Sequence, residues 1–284
     1  MVRAATSHLQ RPLGPFPASV LFLHGQPGSS RDWHAVVHLL GVASPSTKAV
    51  VPDRPGWGSS ERAPGGLYDN AADLVEVLDV AGVGTAVVVG HSWGGGVALA
   101  FAACHPERVL ALVLAGSLNP TRAPGFFDAA FGAVLAGPVL ARIYERFLRS
   151  APRMVRLRRA ASRWLPPAPD EALRREFARA YRSWLRPDMW RSFVVEERRY
   201  LSERRRLRRD LERIEAPAVV LVGDRDEFET VEAAGTLADA LAHGGRRTIP
   251  GAGHGVPWTR PGVFVRAISD ATAAAGASVA GEHV

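Results

Sequence analysis

One serine constrains this chain more than any other feature. Gly90-His91-Ser92-Trp93-Gly94 stands between an unbroken β-branched run, Ala86-Val87-Val88-Val89, and a helix-like stretch from Gly95 to Ala103. A turn that passes straight from strand to helix is so tight that the neighbours of its central residue must be small, and it lifts the serine oxygen above the sheet edge. The helix that follows turns its first N–H groups toward that oxygen, where negative charge develops during attack on a carbonyl. Such a five-residue pattern recurs by chance in glycine-rich chains, and its plainer reading is a turn that lets a helix pack on a sheet. The strand before it and the helix after it favour a nucleophile turn.

The sheet pattern resumes late in the chain at Ala218 to Val222 and near Arg246 to Ile249, while Ser19 to Leu23, Lys48 to Val51 and Val109 to Leu114 have the texture of buried strands. They lack polar alternation, and most run into Gly, Pro or His turns. Between the second run and the serine-bearing one, Asn70 to Val80 carries Leu74, Val75, Val77, Leu78 and Val80 at helical spacing. Alternating strands and helices predict an α/β fold, a mostly parallel sheet with helices on both faces. Residues 117–214 show no comparable β run and are helical in spacing, broken by the prolines between Ala151 and Pro169. They are expected to form a helical cap or lid inserted into a core made of residues 1–116 and 215–284. At 284 residues and 47% hydrophobic, the chain can fill such a core and a subdomain. The small residues from Ala271 onward are expected to fray.

A serine nucleophile needs a base, and the base needs an acid to orient it. Of nine histidines, His254 stands out in the loop Pro250-Gly251-Ala252-Gly253-His254-Gly255, directly after the last strand. Gly223-Asp224-Arg225-Asp226 follows the preceding strand, where sites form in open α/β sheets. One of the two aspartates is expected to serve the turn. His24-Gly25-Gln26-Pro27-Gly28 closes the first strand, and its glycines let the backbone approach a substrate oxygen. The Gln26 N–H can thus pair with that of Trp93 as an oxyanion hole, although the segment by itself is more often an ordinary turn; His24 and His91 are read as structural.

The order Ser92, Asp226, His254, with His24-Gly25 upstream and a helical insert before the acid, resembles the α/β-hydrolase superfamily from about Ser19 to Ala267. Asp53-Arg54-Pro55-Gly56-Trp57-Gly58-Ser59-Ser60 matches the loop that follows the family's fourth strand, although Arg54 and Trp57 are bulkier than the general motif. The resemblance implies Ser92 as nucleophile, His254 as base, Asp226 as orienting acid, and the Gln26 and Trp93 N–H groups as oxyanion donors. Asp224 is then the turn residue. The closest likeness is to the capped branch, which holds epoxide hydrolases, haloalkane dehalogenases, carbon–carbon bond hydrolases, esterases and imino-peptidases. A serine disfavours the first two activities, because it would form an alkyl ether that water does not readily cleave. It suits acyl transfer. The family usually has two strands before the first one recognised here, and Val2 to Pro17 has no β pattern, so a shortened or missing antiparallel edge is expected.

The expected activity is therefore a serine esterase acting on a small, hydrophobic substrate. A carbon–carbon hydrolase or cofactor-free perhydrolase using the same site is the alternative, and a non-catalytic ligand-binding scaffold is the alternative of a different class. In the resemblance, Phe126, Phe127, Phe131 and Leu135 at the start of the lid line the substrate pocket; packing of lid on core explains them too. Trp164, Trp184 and Trp190 carry the same two readings.

Charge narrows the partners. Residues 142–214 hold 22 arginines against 10 acids, whereas the rest of the chain is net acidic, so the formal +7 belongs to the lid. Interleaved Glu and Arg in Glu196–Arg199 and Glu203–Arg209 suit pairing along a solvated helix face better than a phosphate groove. No nucleic acid and no stable membrane insertion are expected, and the longest apolar run, Ala129 to Ala141, is too short to span a bilayer. Neither metal nor cofactor is expected, since no cluster has ligand spacing. The N-terminus lacks an export-signal pattern, so a cytoplasmic location is expected. The lone Cys104 is expected to be buried packing.

Overall fold

The computed structural model describes residues 13–124 and 187–281, with a few positions between 129 and 146. Phe126, Phe127, Phe131, Leu135, Trp164 and Trp184, expected in a lid, lie outside the described residues, as does most of 117–214.

Six parallel strands form one sheet: β1 (Ser19–Leu23), β2 (Lys48–Val50), β3 (Ala86–His91), β4 (Val109–Ala115), β5 (Ala218–Gly223) and β6 (Gly244–Ile249). Their order is β2-β1-β3-β4-β5-β6. The chain steps from β1 outward to β2, then returns to the other side of β1 for β3. That reversal makes a switch point where the carboxyl ends of β1 and β3 lie side by side, the usual place for a site in an open α/β sheet. Leu23 pairs with Gly90, so the loop after β1 emerges level with Ser92.

The strand residues alternate between two cores. Val20 and Phe22 face α1 (His34–Ala43) and a long C-terminal helix, through Trp33, Val36, Leu40, Phe264 and Ile268. Leu21 and Leu23 face α2 (Leu67–Val80), α3 (Trp93–Cys104) and α4 (Pro187–Asp210). α5 (Val231–Asp239) covers β5 and β6 on that second face through Ala234 and Leu237. The short α6 (Val256–Thr259) follows β6 and leads into the C-terminal helix, α7 (Pro261–Gly281).

Three expectations are corrected. Residues from Ala271 do not fray: α7 continues to Gly281, with Ala271 and Ala275 buried four residues apart. Alanine is the best helix former, and a small side chain is what close packing on the sheet requires. Cys104 is exposed, because it is the last residue of α3 and lies beyond the buried Phe101 and Ala102. Glu196 and Glu197, read as part of a solvated face, are buried. On α4 they share the inward side with Trp190, Phe193, Val194, Tyr200 and Leu207. Pairing along α4 occurs at Arg206 beside Asp210, which Arg213, in the 3-10 turn after the helix, also approaches.

Candidate active site

Ser92 leaves β3 with φ +54° and ψ −123°, the one non-glycine residue with positive φ among the described residues. Backbone strain of this kind costs about 1–3 kcal/mol and persists where the surroundings impose it. Here they do. A side chain on Gly90 would come within 2.6 Å of the Gly94 carbonyl and the Gly95 Cα, and one on Gly94 would strike the Leu23 and His24 carbonyls. The two glycines thus let α3 start directly beneath the serine and against the end of β1. Trp93 is the first residue of α3, so its N–H has no acceptor in a preceding turn of the helix.

The neighbouring strands bring the other groups to the same edge. Ser92 N–H donates to Ala115 O at the end of β4 (2.9 Å), and Gly116 N–H to Leu221 O of β5 (2.9 Å). Beyond β5 and β6, the Arg225 N–H donates to Ala252 O at 2.9 Å, joining the two loops that carry Asp226 and His254. His254 Nδ1–H donates to Asp226 Oδ2 at 2.9 Å and lies 3.1 Å from Oδ1. Because a carboxylate only accepts, Nδ1 carries the proton and Nε2 is left with its lone pair. Asp226 also accepts from the Phe228 and Glu229 N–H groups, at 2.9 and 3.0 Å. Burial alone would raise its pKa; the bonds from His254 and the two amides outweigh that and hold it below the usual carboxylate range. Asp224 is the turn residue, accepting from the Gly251 N–H at 2.8 Å.

Gly116 lies under this pair with φ +48°, and a Cβ there would stand 3.0 Å from both Asp226 Oδ2 and His254 Nδ1. The Phe228 ring lies 4.8 Å from the His254 ring and is 49% exposed. Glu229 accepts from Asn119 (3.2 Å) and Arg122 (3.3 Å). Burial raises its carboxyl to about 7 against the pull of those two partners.

His24 and His91 are structural, as read. The Arg54 N–H donates to His24 Nε2 (3.0 Å), so Nδ1 carries the proton and donates to Gly25 O (2.8 Å). His91 Nε2–H donates to His254 O (2.9 Å). Burial holds both rings neutral, with pKa values lowered to about 3. Asp53, in the loop after β2, accepts from Ser30 and Ser59 and ties that loop to the start of the 3-10 turn at Ser30–Trp33.

The structure therefore brings Ser92, Gln26, Trp93, Asp226 and His254 to one edge of the sheet. The expected pocket residues Phe126, Phe127, Phe131 and Leu135 are outside the described residues. Sequence reasoning missed Gly116, Phe228 and Glu229, which carry no motif of their own, and found no role for Arg54. Its sole local signal was its bulk within an otherwise glycine-rich loop. Among the described residues, no group of three or more His, Cys, Asp or Glu could hold a metal ion, and no helix is long and apolar enough to cross a membrane.

Residues 20–267 match the profile of the Alpha/beta hydrolase family. Lipase LipV of Mycobacterium tuberculosis is 41% identical over 136 residues, 46% of this chain and 49% of that protein. The 2-hydroxymuconate semialdehyde hydrolase of Pseudomonas putida is 39% identical over 100 residues, covering 30% of this chain and 36% of the relative. The matched stretches thus span half or less of these relatives' length. An esterase from Thermogutta terrifontis superposes with a TM-score of 0.68 at 24% identity, over 93% of this chain and 92% of that one, a likeness of fold.

Proposed function

The chain belongs to the alpha/beta hydrolase family, and from that premise we propose that it is a serine hydrolase cleaving an ester, or a related acyl bond, of a small hydrophobic substrate. The observation that carries this reading is the Asp226–His254 hydrogen bond formed beside the turn that holds Ser92 at positive φ.

In the proposed cycle, His254 Nε2 takes the Ser92 proton as Oγ attacks the substrate carbonyl. Asp226 keeps the proton on Nδ1 and stabilises the imidazolium that forms. The carbonyl oxygen becomes an oxyanion held by the Gln26 and Trp93 N–H groups. Collapse of the tetrahedral adduct expels the alcohol, which leaves with the proton from His254. Water, deprotonated by the same nitrogen, then cleaves the acyl-enzyme and restores Ser92. The apolar sequence at Phe126, Phe127, Phe131 and Leu135, within the stretch 117–214 read as a cap, supports a hydrophobic acyl or alcohol group. The half-exposed Phe228 ring beside His254 fits an apolar substrate as well.

The likeness to a lipase supports an ester substrate, and the likeness to 2-hydroxymuconate semialdehyde hydrolase supports carbon–carbon cleavage as a second reading on the same residues. A fluorophosphonate probe is expected to label Ser92 in the native protein and to leave Ser92→Ala unlabelled. Well-folded wild type that resists the probe sinks the proposal. A chain-length series of nitrophenyl esters beside a vinylogous diketone then separates ester from carbon–carbon hydrolysis.

A further inference from the structure

A guanidinium has been taken out of water beside the loop that follows β1. Arg54 is 2% exposed, and its partner Glu196, on α4, is 0% exposed. Arg54 Nη1 donates to Glu196 Oε1, and Nη2 lies 3.4 Å from Oε2. Trp57 Nε1–H donates to the same carboxylate at 2.8 Å. The cation lies over the Trp93 ring, 4.5 Å from its centroid. Its fork also reaches two consecutive backbone carbonyls, Nε to His24 O at 2.8 Å and Nη2 to Gly25 O at 3.0 Å, and Nη1 lies 3.5 Å from Asn70 Oδ1.

The second of these bonds matters most. Gly25 C=O and Gln26 N–H belong to one peptide plane, and in a planar trans peptide they point in opposite directions. Fixing where the Gly25 oxygen points therefore fixes where the Gln26 hydrogen points. That oxygen also accepts from His24 Nδ1–H at 2.8 Å, so both of its acceptor directions are used. A cation hydrogen-bonded to one end of a peptide also polarises the N–H at its other end. On the next residue of α4, Glu197 accepts from the Gln26 side-chain amide. The two buried acids of α4 thus hold the oxyanion loop at two places, one directly and one through Arg54.

We propose that Arg54 and Glu196 are positioning residues that orient and polarise the Gly25–Gln26 peptide as an oxyanion donor, and that helix α4 of the cap sets this geometry. The inference rests on the reading of Gln26 as an oxyanion donor. Arginine is required because its planar fork serves two carbonyls and a carboxylate at once, which the point charge of lysine cannot do. Glu196 neutralises the buried cation and fixes the plane of the fork.

The test compares wild type with Arg54→Lys, Glu196→Gln and, as a control on the exposed side of α4, Arg208→Ala. Fluorophosphonate titration counts competent sites, so that rates are expressed per folded active site. Arg54→Lys is expected to lower kcat ~10- to 100-fold, as for a misplaced donor and short of the ~100- to 1,000-fold for outright loss of one, while KM stays within about threefold. Glu196→Gln, which keeps the shape and removes the charge, is expected to lower kcat by a smaller factor. A trifluoromethyl ketone that adds to Ser92 as a tetrahedral adduct loses affinity by the same factor as kcat/KM. The carboxylic acid product, a ground-state mimic, changes little.

Per-site kcat within twofold of wild type in both variants overturns the proposal. So does an equal loss of affinity for the ketone and the acid, which marks a merely structural role. Absence of wild-type labelling is a separate result: it removes the hydrolase reading, and this inference with it, before any Arg54 variant is compared.

Discussion

The His91 ring and the His254 backbone are joined by a hydrogen bond from His91 Nε2–H to the His254 carbonyl, 2.9 Å long, and the two rings lie 4.9 Å apart. His91 directly precedes Ser92, so the residue beside the proposed nucleophile holds the loop of the proposed base. The donor, moreover, is a ring that burial keeps neutral, down to a pKa of about 3.

Replacing that ring separates its two roles. His91→Phe keeps the ring contacts with His254 and Trp258 but leaves the His254 carbonyl without its donor. Loss of one buried partner costs about 1–3 kcal/mol, and kcat is expected to fall roughly 10-fold with the drift of the base. His91→Gln, which still donates, is expected to recover much of both. The pH dependence has a definite sign. The folded pKa lies below the ordinary 6.5, so the unfolded chain binds this proton first, and wild type loses stability as pH falls from about 6.5 toward 3. That share of the slope, at most about 1.4 kcal/mol per pH unit, is absent in His91→Phe. Urea unfolding between pH 4 and 8 measures it, and parallel curves for the two proteins refute it.

Gly116 is the floor under Asp226 and His254. Gly116→Ala introduces a Cβ 3.0 Å from both side chains at φ +48°. About 1–2 kcal/mol of destabilisation follows from the left-handed backbone, and a loss of turnover is expected beside it. The value of kcat should drop roughly 10-fold, because displacement of the pair by a few tenths of an ångström spoils the alignment of His254. Thermal melting and ester kinetics on the same sample decide the matter; wild-type kcat with lowered stability counts against the placement of this pair in the reaction.

Glu229 gives a pH signature of the opposite sign. Its folded pKa, about 7, lies above the ordinary 4.5 because of burial, so its stabilising share is complete below about pH 4.5 and is lost as pH rises through 7. Glu229→Gln keeps a neutral acceptor for Asn119 and Arg122. It is expected to be more stable than wild type at pH 8 by about 1–2 kcal/mol, a figure discounted for the solvent that reaches Arg122. The advantage should vanish near pH 5. A gap that is the same at both pH values contradicts it.

Phe228 tests the substrate class. Its ring is half exposed against His254 and accepts no substrate proton, so Phe228→Ala is expected to raise KM for long-chain nitrophenyl esters about 3- to 10-fold, the value of one lost apolar contact, while acetate esters change little. A uniform effect across chain lengths argues against its contact with the acyl group.

What the sequence made legible was local. The run Ala86 to Val89, the glycines around Ser92 and the loop at His254 each carry their signal within a few residues, and strand ends differ from expectation by one or two positions. The fold follows from such patterns because hydrophobic periodicity and turn chemistry are short-range properties. Arg54 and Glu196 are 142 residues apart, and His91 and His254 are 163 apart, so nothing in either neighbourhood announces the partner. Glu196 was misread for the same reason: among alternating Glu and Arg, an acid looks solvated until the cation it answers is known. Composition misled at the C-terminus, where small residues read as a loose tail are the close-packing alanines of α7.

Helix α4, which lies between β4 and β5 in the chain, looks like a part to exchange between relatives. The bond between Arg54 and Glu196 says otherwise for this chain. A chimera that replaces residues 187–210 without an acid opposite Arg54 strands a buried cation, at about 3–5 kcal/mol for a broken buried pair. Such a chimera inherits a new specificity only if it also inherits, or is given, the residue that faces Arg54.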